Sequence, residues 1–144
     1  MKPLWFIISS LLIVSLIAVM TACENPFKVE KKKEEIKRLV DDYFANGRYT
    51  VFWNGKDNKG KWISAGKYIY VMEAGDFVDQ FIMTAQEGGS GKNIDSTEAI
   101  IGGIYFFDLE QNSPEPFKIK DGTNIRFQIS SSNPIRVKIT IFKD

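Results

Sequence analysis

The chain has 144 residues, enough for one domain with a short appendage and a core that folds unaided. Lysine and arginine number 19 against 18 acidic residues, so no basic excess points to nucleic acid and no acidic excess to a solvating tail. Histidine is absent and there is one cysteine, which excludes histidine-based triads, Cys/His zinc sites and an internal disulfide. The expectation is a binding or structural module, not an enzyme, with no catalytic residues, no cofactor and no metal.

Met1-Lys2-Pro3 is followed by a long, mainly apolar run over 4–20, the layout of a secretory signal that would form a helix. The run ends at Met20-Thr21-Ala22-Cys23. These residues resemble a bacterial lipobox, with Met20 where leucine is usual. The resemblance implies a lipoprotein signal peptide over 1–22, removed as Cys23 receives diacylglycerol and palmitate-type acyl chains. The product is then a lipoprotein of the cell envelope, facing the periplasm or the exterior. Glu24 is compatible with outer-membrane delivery. The other reading is an uncleaved signal anchor, because 4–20 is just long enough to span a bilayer. Either way the protein is tethered to a membrane, and loss of the leader removes only Lys2 from the charge balance.

Residues 23–35 form a charged tether opened by the helix-opposing Pro26. Lys31, Lys32 and Lys33 could touch anionic headgroups, but Glu30, Glu34 and Glu35 oppose that. Next, Ile36, Leu39, Val40, Tyr43 and Phe44 fall at the spacing of an amphipathic helix that Asn46-Gly47 would end.

The most legible stretch is 49–83, which reads as three strands joined by two turns. Tyr49, Val51 and Trp53 alternate with Thr50, Phe52 and Asn54, the period of two of a pleated strand. Asn54, Gly55, Asp57, Asn58 and Gly60 supply turn chemistry. A second strand over 66–72 sets Tyr68, Tyr70 and Met72 against Ile69 and Val71, and a third covers 77–85. The pattern Tyr-x-Val-x-Trp-x-Gly-x-Asp-x-x-Gly-Lys, followed by Gly-x-Tyr-x-Tyr, resembles the Ig-like domain of the flagellar hook-capping protein FlgD. It is similar, too, to the related C-terminal sorting domains of type IX secretion. Trp53, Gly55, Asp57, Gly60, Gly66 and Tyr68 occupy the pattern's positions. The resemblance implies a small Ig-like antiparallel β-sandwich with Trp53 and Tyr68 in its core. It also implies a strand over 36–40, against the local helical spacing, and sheet context favours the strand.

A Gly-rich segment, 86–98, has the composition of a flexible linker between halves 36–85 and 99–144. Residues 99–109 are apolar enough for a strand that Gly102-Gly103 would weaken or bulge. Residues 123–129 and 135–142 alternate cleanly, and Ser131-Ser132-Asn133-Pro134 between them predicts a hairpin with one buried and one wet face. Leu109-Glu110-Gln111-Asn112-Ser113-Pro114-Glu115-Pro116-Phe117 resembles the opening of the type IX sorting domain. In that family the opening precedes the Trp-x-Gly stretch; here it follows. One sandwich in circularly permuted order is the favoured reading and a truncated tandem the alternative, since half a sandwich leaves apolar faces bare.

Three clusters invite chemistry. Asn54, Asp57 and Asn58 lack the rhythm of a calcium loop and hold Lys56 and Lys59 within it. The carboxylate pairs Asp41/Asp42 and Asp76/Asp79 have no cleft around them in the sequence. Among Trp53, Trp62, Tyr68 and Tyr70, Trp62 is the freest to serve as a surface contact. The expected function is therefore an accessory or assembly module at the cell envelope, held to the membrane through Cys23 and partnered by another envelope protein, without nucleic acid. A carbohydrate-binding envelope module and a secretion-sorting domain are the alternatives.

Overall fold

The computed structural model describes residues 33–92 and 98–144. The leader-like segment 1–22, Cys23 and tether residues 24–32 lie outside the described residues, as does 93–97. The described chain is all β, in nine strands: β1 (Glu35–Phe44), β2 (Gly47–Trp53), β3 (Gly66–Ala74), β4 (Phe77–Gln86), β5 (Glu98–Ile101), β6 (Asp108–Leu109), β7 (Phe117–Lys118), β8 (Thr123–Ile129) and β9 (Ile135–Lys143). They form a sandwich of a five-stranded sheet, ordered β1-β9-β3-β4-β7, and a four-stranded sheet, ordered β5-β2-β8-β6.

The period-two segments build the core. On β2 and β8, Tyr49 lies opposite Phe127 and Val51 opposite Ile125. The facing sheet contributes Tyr70 and Met72 of β3, Met83 of β4, and Val137, Ile139 and Ile141 of β9, all fully buried. Burying each of these side chains stabilises the fold by about 1.5–3 kcal/mol. Trp53 joins the layers, its ring 5.6 Å from Phe117 and 6.1 Å from Tyr68.

β1 is a strand throughout, and its apolar spacing has a structural cause. The register against β9 slips between Glu35 and Lys37 and again between Arg38 and Val40. Ile36 and Leu39 are thus extra residues without partners of their own, and two bulges in one strand turn a three-and-four spacing into one partly buried face.

Three expectations are corrected. β8 and β9 are not a hairpin: β8 pairs with β2 and β6, whereas β9 lies between β1 and β3 in the other sheet. Residues 130–134 carry the chain across the sandwich, so each strand is covered on both edges and β8 has one exposed position, Arg126. Residues 99–109 are not one strand, because Gly102 and Gly103 both adopt positive φ (83° and 74°) and end β5, after which only Asp108–Leu109 re-enters a sheet. The linker-like residues 86–92 are fastened to the domain. Asp121 Oδ1 accepts the backbone N–H groups of Ser90 and Gly91 at 2.6 and 3.0 Å, and Gly88 O accepts from Lys120 N at 3.0 Å.

The first and last strands are neighbours. Lys143 N donates to Glu34 O at 3.0 Å and Asp144 N to Lys67 O at 3.2 Å, so the C-terminus ends beside the start of β1. Both sheets combine strands from before residue 92 with strands from residue 98 onward.

Candidate functional site

A sandwich has strand edges whose free N–H and C=O groups invite another strand, and proteins blunt such edges. Here β1 is blunted by the turn residue Asn58, whose N–H donates to Ile36 O at 2.9 Å and whose Oδ1 accepts Arg38 N at 3.1 Å. β4 is blunted from the proline-rich segment: Gln111 Nε2 donates to Ile82 O at 2.9 Å, Glu115 accepts Thr84 N at 2.9 Å, and β7 pairs beyond. β6 is only two residues long.

Among the described residues β5 carries no such device. Glu98, Ala99, Ile100 and Ile101 are all exposed, Ile100 by 58% and Ile101 by 66%. The loop after it is held by Asn46, whose carbonyl accepts Gly102 N at 2.7 Å. The Asn46 side chain also donates to Ile104 O at 2.8 Å and accepts from Ile104 N at 3.2 Å. Phe107 turns back to stack on Phe77 at 5.4 Å. Between these anchors Tyr105 and Phe106 stand out, 89% and 59% exposed. The sequence signal was the aromatic triplet after Gly102-Gly103, absorbed above into a strand that does not form.

Of the residues singled out from the sequence, Trp53, Tyr68 and Tyr70 are buried. Trp53 Nε1 donates to Lys56 O at 2.9 Å, and the Tyr70 hydroxyl donates to Glu110 O at 2.7 Å, with burial pushing its pKa well above the ordinary phenol value. Trp62 is half-exposed beneath the Lys56 ammonium, 4.6 Å from the ring centre. Asp57 Oδ1 accepts Lys59 N and Lys61 N at 2.8 and 2.9 Å, and the bond from Lys61, followed by that from Lys59, lowers the carboxyl pKa. Asn54 accepts Lys56 N and Asn58 caps β1, so this loop's oxygens are engaged in its turns.

Asp41 pairs with Arg136 at 2.8 Å and Arg38 at 3.7 Å. Asp42 accepts the N–H of Tyr43, and Asp79 that of Gln80. Asp41, Asp42 and Asp79 are thus taken up by ion pairs and local turns. Outside the β5 edge, a shallow cavity of about 340 Å³ on the outer face of the four-stranded sheet is lined by Arg48, Thr50, Glu98, Ile100, Glu110 and Arg126. Arg126 meets Glu110 at 4.0 Å and Arg48 donates to Gln128 Oε1 at 3.3 Å. Comparison with protein families, curated proteins and solved structures gives no match to this chain.

Proposed function

We propose that the protein is a non-catalytic, lipid-anchored cell-envelope module, tethered through Cys23, whose sandwich is of the FlgD-like Ig-like type and binds another envelope protein. The observation that carries this reading is the Tyr105–Phe106 tip: two adjacent aromatic side chains held out by a loop clamped at both ends. Exposed aromatics on a rigid support are the residues that dominate protein–protein contacts. The loop is also clamped at the end of β1 remote from Glu35. The described chain enters β1 at Glu35, and Asn46, which clamps the loop, follows the other end of that ten-residue strand, about 30 Å away.

Two measurements test the proposal. Acyl labelling in cells should be lost in Cys23→Ala; a Cys23→Ala protein that stays membrane-bound and full length would identify a signal anchor instead. Pull-down of envelope proteins by the full chain should yield a partner whose recovery drops with Tyr105→Ser/Phe106→Ser, and unchanged recovery would remove the tip from the reading. The half-exposed Trp62 supports carbohydrate binding as a second reading, tested by glycan-array binding that disappears in Trp62→Ala.

A further inference from the structure

We propose that the bare edge of β5 is a homotypic interface, pairing antiparallel with β5 of a second copy about a two-fold axis at Ile100 and joining two four-stranded sheets into one of eight. This surface is distinct from the aromatic tip. The first argument is that β1 and β4 are capped by Asn58, Gln111, Glu115 and β7, yet among the described residues nothing caps β5, which has no lysine, proline or bulge of its own.

The hydrogen-bond phase is the second argument. Gly102 N bonds Asn46 O, so the bonded pairs between β5 and β2 are Asn46/Gly102, Arg48/Ile100 and Thr50/Glu98. The N–H and C=O groups of Ala99 and Ile101 therefore point to the open side. With Ile100 on the axis, Ala99 of each copy faces Ile101 of the other, and the four outward N–H groups all find outward carbonyls.

Side chains choose the same register. The two Ile100 side chains form the close, non-hydrogen-bonded pair, and each Glu98 faces Gly102 of the other copy. Sliding to put Glu98 on the axis would oppose two carboxylates directly, and placing Ala99 there would set Ile100 against Glu98. The register about Ile100 keeps the two Glu98 carboxylates apart. Four residues a side is small beside the roughly 1,200 Å² that lasting interfaces bury, so the pairing is concentration-dependent.

Oxidative cross-linking of the full chain in detergent tests this, with the parent protein as the control for Cys23. A non-hydrogen-bonded pair has Cα atoms about 4.5 Å apart, within disulfide range. Ile100→Cys should give a disulfide-linked dimer. Glu98→Cys, displaced from the axis, and Val78→Cys, exposed on the other sheet, should not. Adding Ile101→Pro, which removes an outward N–H, should abolish the Ile100→Cys dimer while circular dichroism shows the fold retained. An Ile100→Cys protein that stays monomeric, or Glu98→Cys cross-linking equally well, would overturn the proposal. So would Ile100→Cys cross-linking in cells only to a different protein, which would make the edge a site for a foreign strand. Because the readout needs neither acylation nor an envelope partner, failure of the functional reading leaves it unaffected.

Discussion

Trp53 and Gly122 meet where the two sheets close on the turn after β2. The indole N–H holds Lys56 O, and a Cβ on Gly122, whose φ is +75°, would run into the Phe52 ring and the Trp53 carbonyl. Gly122→Ala should therefore lower stability by more than about 1 kcal/mol, since it meets both a strained φ and backbone. Trp53→Phe should cost about 1–3 kcal/mol, because it leaves the partly buried Lys56 carbonyl without its donor. Denaturant midpoints of the full-length variants check both, and an unchanged midpoint would show that the turn is held by other contacts. The burial of Trp53 and Tyr68 is what the resemblance implied, and Asp57 was legible as a turn residue because its role is local: it bonds N–H groups two and four residues on. Asn112, Gln111 and Glu115 were not. Glu115 caps Thr84, 31 residues away, and Asn112 is buried against Thr123 Oγ1 at 3.0 Å, partners that no local pattern announces.

At the scale of elements, β1 is held to β9 by the ladder and by the Asp41–Arg136 pair. The hydrogen bond from Arg136, then the charges of Arg136, Arg38 and Lys138, hold the Asp41 carboxyl below its ordinary 3.8. A depressed carboxylate pKa stabilises the fold above the unfolded value, and that contribution is lost as pH falls through the lower folded value. Thermal midpoints of Asp41→Asn should thus lie below the parent's at neutral pH and converge with them in acid below pH 3.8; a gap that persists in acid would assign the loss to packing. The strand nature of β1 was half legible. Helical spacing was real, but bulges at Ile36 and Leu39 can be used only when β9, 95 residues on at Arg136, offers a ladder. The predicted β8–β9 hairpin failed for the opposite reason: two good alternating strands and a turn fit either one sheet or two, and only the remaining strands decide.

For the whole molecule, the proximity of Glu34 and Lys143 makes a rearranged chain testable. Joining 144 to 33 through a linker of about 2–4 residues, and opening the chain between Lys92 and Glu98, places the Gln-Asn-x-Pro segment ahead of the Trp-x-Gly stretch. Such a protein should show the same β-type circular dichroism and unfold cooperatively. Failure to fold would mean that the present strand order is required for assembly, and would count against kinship by permutation.

The pairing of the first strand with the last carries a consequence for biogenesis. Until Ile135–Lys143 has been made, β1 and β3 each lack a neighbour, so the five-stranded sheet that contains them cannot be completed. The unpaired edges of β1 and β3 are then open to a chaperone. Removing β9 by truncation should yield a species held by chaperones or degraded, which pulse-chase would detect as a shortened lifetime.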